Sequence, residues 1–287
     1  MSNTVSVTEQ NNTVTVTESN NTVTILEDAP IVTPEPWYAD LPTLPTTSGT
    51  ATVTADNTPH TKGAWTEIIA SNGAATQALM VQVTEIGQSG TDTATLIDIG
   101  VGAAGNETAI ASDIAVSGAS NSGIVFALPV AVAQSARISV RSQAVIPSDT
   151  ADVTISSFVI ANSAAMPTTV DVLGSVPAAS TGTEVLTSYT EIIASTSQAY
   201  EAIAIVESLS RTAFINYFFN TVTVGIGAAG VEVDVAQKPH STLSSERTYS
   251  NPTVSLVTAV DIPAGSRIAA KASPYFADVV VIGIPAA

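Results

Sequence analysis

Trp65-Thr66-Glu67-Ile68-Ile69-Ala70-Ser71 returns later in the chain as Tyr189-Thr190-Glu191-Ile192-Ile193-Ala194-Ser195. Ile99-Gly100-Val101-Gly102-Ala103-Ala104-Gly105 returns as Val224-Gly225-Ile226-Gly227-Ala228-Ala229-Gly230. Arg137-Ile138 returns as Arg267-Ile268, and Ala151-Asp152-Val153 as Ala277-Asp278-Val279. The separations are 124 (191 − 67), 125 (225 − 100), 130 (267 − 137) and 126 (278 − 152) residues. Four landmarks in one order at nearly one offset describe a duplicated domain. The drift places insertions in loops, where they are tolerated. The period is too long for a solenoid unit.

Each copy is punctuated like a β-sandwich. In the first, apolar or alternating runs at 51–54, 65–70, 78–84, 94–101, 107–116, 123–132, 136–141 and 151–160 are separated by Gly, Asn, Ser, Asp and Pro clusters. Short strands with turn signals between them read as a sandwich or jelly roll. The predicted fold is therefore all-β, with two tandem antiparallel jelly-roll-like domains over 50–163 and 164–287. The segment from Met166 to Ser180 joins them and offers the second its first strand.

Composition agrees. Of 287 residues, 45% are hydrophobic and only 11% charged, so a sizeable core is expected under an uncharged polar surface. Thr, Val, Ile and Ser abound while helix-forming Lys, Arg and Leu are scarce, a mix that favours strands over helices. The net charge of −17 repels nucleic acid and anionic membranes. With no cysteine, disulfides, thiolate metal sites and thiol nucleophiles are excluded. Met1-Ser2-Asn3-Thr4-Val5 has neither a basic n-region nor an apolar h-region, so no secretory signal is expected. No apolar run reaches the length of a membrane-spanning helix, and no membrane insertion is expected.

Ahead of the duplication, residues 1–29 carry a nine-residue repeat built on Asn-Thr-Val-(Ser/Thr)-(Val/Ile). Each unit sets two β-branched apolar residues two apart: Val5 and Val7, Val14 and Val16, Val23 and Ile25. That is strand alternation, with one apolar and one hydroxyl face. Asn-Asn junctions suit tight turns. So small a sheet is marginal alone, and we read it as an assembly arm that adds strands to a neighbouring chain. Residues 30–49 are a linker in which Pro30, Pro34, Pro36, Pro42 and Pro45 enforce extended backbone. Trp37 and Tyr38 within it suit an anchor in a partner's pocket.

Gly100-Val101-Gly102-Ala103-Ala104-Gly105 and its copy at Gly225, Gly227 and Gly230 both fit G-x-G-x-x-G. A dinucleotide fingerprint needs a helix behind it, so that the helix N-terminus meets the pyrophosphate. Val231-Glu232-Val233-Asp234-Val235 alternates instead, which predicts a strand. The glycines are thus expected to permit a tight bend where side chains are excluded, and no cofactor is expected. Arg137 and Arg267 are two of only eight basic residues and match between copies. Each is expected to form an ion pair within its own domain, with Asp152 and Asp278 as candidate partners. Glu232 and Asp234 are weak calcium candidates, since an i, i+2 pair is more often a solvated face. Asp149 with Asp152 and Asp92 with Asp98 are weaker still. His60 and His240 neighbour prolines, read as loop residues and do not correspond between copies. No acid/base constellation appears in either copy, so no catalytic residue is assigned.

The Asn-Thr-Val-Thr-Val repeats, the (Trp/Tyr)-Thr-Glu-Ile-Ile-Ala-Ser opening with its glycine bend, and the Ile262-Pro263-Ala264-Gly265-Ser266-Arg267-Ile268 hairpin together resemble tailed-bacteriophage virion proteins. The resemblance covers most of the chain through short structural motifs. In the first copy the hairpin reads Val132-Ala133-Gln134-Ser135-Ala136-Arg137. It implies a non-enzymatic fibre, tail appendage or capsid decoration, held by other virion proteins as a homo-oligomer, often a trimer. The rival is a carbohydrate-binding adhesin taking a host-surface glycan through Phe214, Tyr217, Phe218 and Phe219.

Overall fold

A computed structural model describes residues 13–18, 21–26, 45–84, 93–118, 124–160, 165–209, 217–243, 254–255, 257–273 and 277–285. The chain divides into two units, Met1–Leu41 and Pro42–Ala287. The first holds an antiparallel hairpin of β1 (Thr13–Glu18) and β2 (Asn21–Leu26). Its register sets Val14 opposite Ile25 and Val16 opposite Val23. Val5, Val7, Trp37, Tyr38 and Phe214 lie outside the described residues.

In the second unit the first copy forms eight strands: β3 (Thr47–Thr54), β4 (Thr66–Ile69), β5 (Ala78–Thr84), β6 (Thr93–Val101), β7 (Thr108–Gly118), β8 (Ile124–Leu128), β9 (Ile138–Ala144) and β10 (Thr150–Phe158). They pair as β8-β5-β10-β3 and β4-β9-β6-β7. Counted within the copy, these orders are 6-3-8-1 and 2-7-4-5, two antiparallel sheets in jelly-roll order. Strict alternation drives the packing. Along β10, Ala151, Val153 and Ile155 are buried while Asp152, Thr154 and Ser156 are half-exposed.

The second copy repeats the plan with β11 (Asp171–Leu173), β12 (Thr183–Val185), β13 (Thr190–Ile193), β14 (Tyr200–Leu209), β15 (Tyr217–Ile226), β16 (Val233–Leu243), β17 (Val254–Ser255), β18 (Val257–Ile262), β19 (Ile268–Ser273) and β20 (Ala277–Ile284). Its sheets run β11-β20-β14-β18, with β12 also on β20, and β13-β19-β15-β16. A 3₁₀ turn at Pro177–Ala179 precedes β12. His240 lies in β16, not in a loop. Pro239 is tolerated beside it because β16 is the edge of its sheet and needs no ladder bond on its outer side.

The two jelly rolls share their interior. Along β14 and β20, Ile203, Ile205, Val279 and Val281 face the core of the second copy. The alternate residues Ala204, Val206, Val280, Ile282 and Ile284 join the core of the first. All eight residues of β20 are buried, so this sheet is covered on both faces. Strand β7 lies against β11, β14 and β20. A second link is β17, which pairs in parallel with β8 of the first copy, Val254 opposite Val125. It lies in the loop whose extra length raises the repeat offset from 125 to 130.

Candidate functional site

Three of the four duplicated landmarks converge at one end of each jelly roll. In the first copy Gly102 and Gly105 turn the chain from β6 to β7 at φ of 129° and 80°. Gly227 and Gly230 do the same between β15 and β16 at 123° and 83°. Such positive φ strongly favours glycine. No helix follows; β7 and β16 begin at Thr108 and Val233. The leading glycine of each motif serves another purpose. A Cβ on Gly100 would come within 2.7 Å of the Trp65 ring, and one on Gly225 within 2.7 Å of the Tyr189 hydroxyl. The aromatic that opens the repeat lies flat on a strand backbone left bare for it. A cation covers its other face: the Arg141 guanidinium stands 4.5 Å from the Trp65 centroid and Lys271 Nζ 4.4 Å from that of Tyr189.

Each matched arginine closes the same end. Arg137 Nε donates to Glu67 Oε2 at 2.7 Å and its Nη1 to Glu107 Oε1 at 2.5 Å. Arg267 Nε donates to Glu191 Oε2 at 2.7 Å and its Nη1 to Glu232 Oε1 at 2.9 Å. The partners are therefore the Glu of the Thr-Glu-Ile-Ile motif and the Glu behind the glycine bend, not Asp152 or Asp278. Asp152 accepts instead from Thr52 Oγ1, because its strand is in the opposite sheet. One guanidinium fork ties three chain segments together. Burial pushes the Glu107 carboxyl up, but bonds from Arg137 and the backbone outweigh this and hold it below its ordinary value. Glu232 is held low by its own backbone N–H, by Arg267 and by Gly230 N–H.

The weak calcium candidates are engaged in this clasp. Glu232 is taken up by Arg267, while Asp234 accepts from the Tyr189 hydroxyl and lies 3.5 Å from Lys271 Nζ. Asp98 is buried against Lys62 Nζ and Arg141 Nε, both at 2.7 Å. Among the described residues no cluster of three or more metal-ligating side chains occurs. Lys62, Arg141, Lys271 and the aromatic–glycine contacts escaped sequence reading. For Arg141 and Lys271 the signal was their 130-residue offset (271 − 141), which matches that of Arg137 and Arg267.

The junction between jelly rolls is polar at its rim. Val170 N–H donates to Ile110 O at 2.9 Å, and Ser175 Oγ to Asp113 O at 2.5 Å. Gln143 Nε2 donates to Pro177 O at 2.8 Å. His60 Nδ1 lies 3.0 Å from the Oγ of Ser180, which is fully buried. Beside these contacts β7 and β11 border a cleft of about 450 Å³. Tyr217, Phe218 and Phe219 begin β15, opposite Leu243, Thr242 and Ser241 of β16.

No protein-family model matches the chain, and no curated protein does. Among solved structures, one described as the crystal structure of the STIV MCP overlaps with a TM-score of 0.34 and 11% identity, covering 83% of this chain and 96% of that one. The jelly-roll assignment rests on the strand orders within each copy.

Proposed function

We propose that this chain is a non-enzymatic structural component of a phage virion, most simply a fibre or tail appendage, attached through its N-terminal arm. The observation that carries this reading is the pairing of a strand-repeat arm with twin jelly rolls whose conserved-in-both-copies side chains are consumed in mutual contacts. Arg137, Arg267, Glu107 and Glu232 tie strands and bends together within each copy. A Lys-poor, hydroxyl-rich surface suits a particle exterior. The partners are other virion proteins and further copies of the chain, with a trimer favoured. Deleting residues 1–45 is expected to abolish incorporation while the jelly rolls stay folded, read by particle composition and circular dichroism. Normal incorporation of the truncated chain would refute the arm.

Capsid decoration is the second reading, favoured by the shared interior. Two jelly rolls fused through one buried sheet make a block suited to sit on a lattice, where beads on a flexible string suit a fibre less rigidly. Immunogold labelling of intact particles separates head from tail.

A further inference from the structure

We infer that the cleft between β7 and β11 is a binding site for one sugar residue, a small neutral polyol, and this rests on no assumption about the virion. Its volume of about 450 Å³ falls within the usual range of small-molecule sites, and it opens at the junction of two domains, where such sites concentrate. Its walls carry hydroxyls and carboxylates: Ser112, Asp113, Thr169, Asp171 and Ser197. Thr169 and Ser197 are exposed at its mouth.

Comparison of the copies isolates what is private to this cleft. Both copies bulge once behind the glycine bend, at Ile110 and at Val235. The first copy alone bulges again among the described ladders of β7 and β16, where Ser112 and Asp113 face the single residue Asp98. Asp113 is held there at φ 62°, in the left-handed region that Asp tolerates better than most side chains. Its N–H donates to Asp98 Oδ1 at 2.8 Å and its carbonyl accepts from Ser175, so both neighbours fix the strained turn. Strain kept by surrounding contacts, in one copy and at a cleft wall, points to use of that wall.

The opposite wall is also preset. Asp171 Oδ2 accepts from Tyr200 Oη at 2.7 Å and from Gln198 Nε2 at 2.8 Å. Tyr200 is buried and its hydroxyl stays protonated, its pKa raised by burial and by Asp171. The cleft therefore offers the exposed hydroxyls of Thr169 and Ser197 beside carboxylates already held, Asp113 by Lys62 and Asp171 by Tyr200 and Gln198. An anion would be repelled. A polyamine would find the charge already answered, since Lys62 Nζ lies 2.9 Å from Asp113 Oδ1. Vicinal hydroxyls, which donate and accept, fit best.

The test is saturation-transfer NMR on the full chain with free glucose, galactose, N-acetylglucosamine and rhamnose, and with spermidine as counter-probe. At least one sugar should show transfer, and Thr169→Trp and Ser197→Trp, which both fill the mouth from the side of Asp171, should each weaken it at least tenfold without altering the melt. No transfer from any of the four sugars, transfer that survives both substitutions, or displacement by spermidine overturns the site. Loss only in Tyr217→Ala would also overturn it, by placing the sugar at the aromatic strand. Because the isolated chain is probed, a negative result leaves the attachment reading standing.

Discussion

The same sheet face has opposite chemistry in the two copies. On the outer face of β3 and β10 in the first, Ser48 meets Ser156 at 2.9 Å, Thr50 meets Thr154 at 2.8 Å and Thr52 donates to Asp152 at 2.6 Å. At the offset of 126, Thr154 and Ser156 correspond to Val280 and Ile282. Those two are fully buried against the other copy. One duplicated face has kept a hydroxyl ladder that water can solvate. The other has become apolar and serves a second core. Fold and face chemistry are thus separable: strand order survives while alternate residues decide whether a sheet ends at solvent or at a neighbour.

The largest effect should come from breaking the apolar face. Val280→Asp places a carboxylate between two cores with no partner, and should destabilise by more than ~4 kcal/mol. Urea unfolding would read this as a loss of most of the folded population. Thr154→Val, the reciprocal change on the hydroxyl ladder, should move stability by no more than ~0.5 kcal/mol. Equal responses would mean that the two faces do not differ in burial.

A middle-sized effect tests what the copies share. Gly100→Ala and Gly225→Ala each drive a methyl to within 2.7 Å of the aromatic group that covers the strand. Overpacking of this kind costs about 1–3 kcal/mol. Trp65→Ala should relieve the Gly100→Ala penalty, and a double-mutant cycle in thermal unfolding would show the coupling. Additive losses would place the strain elsewhere. The second copy should respond alike, since Tyr189 occupies the same place over Gly225.

Much of this architecture could be read from residues near in sequence, and the rest could not. Every strand interval expected in the first copy has its counterpart, because alternation and turn residues are local signals: 78–84 is β5 without change, and 94–101 differs from β6 by one residue. The duplicated Glu67, Glu191, Arg137 and Arg267 were legible as landmarks, but their pairing was not. Asp152 and Asp278 lay near in the repeat, whereas the actual partners come from strands and bends tens of residues away. The shared interior was written in Val279-Val280-Val281-Ile282, since an unbroken apolar run marks a strand covered on both faces. Reading 164–287 as a tandem domain of its own overlooked that absence of alternation. The parallel contact of β17 has no local signature at all, because two residues cannot announce which distant edge they join.

The smallest effect sharpens the comparison at the clasp. The carboxyls of Glu107 and Glu232 are held below their ordinary value of 4.5 in the folded chain. A depressed folded value contributes stability above the unfolded value, and that contribution disappears as pH falls through the folded one. Both copies should therefore weaken on acidification below about 4.5 and not between neutrality and that point. Arg267→Lys keeps the charge, but a single ammonium cannot reproduce the fork that reaches Glu191 and Glu232 together. Melting temperature against pH should show little change at neutrality and an acid midpoint raised by a few tenths of a unit, with Arg137→Lys behaving likewise. Burial opposes the depression in both carboxyls, and the Arg137–Glu107 contact is the shorter, 2.5 Å against 2.9 Å for Arg267–Glu232. Arg137→Lys should therefore shift the acid limb at least as far as Arg267→Lys. The reverse order would show that the backbone donors around Glu107, not the guanidinium, hold its charge.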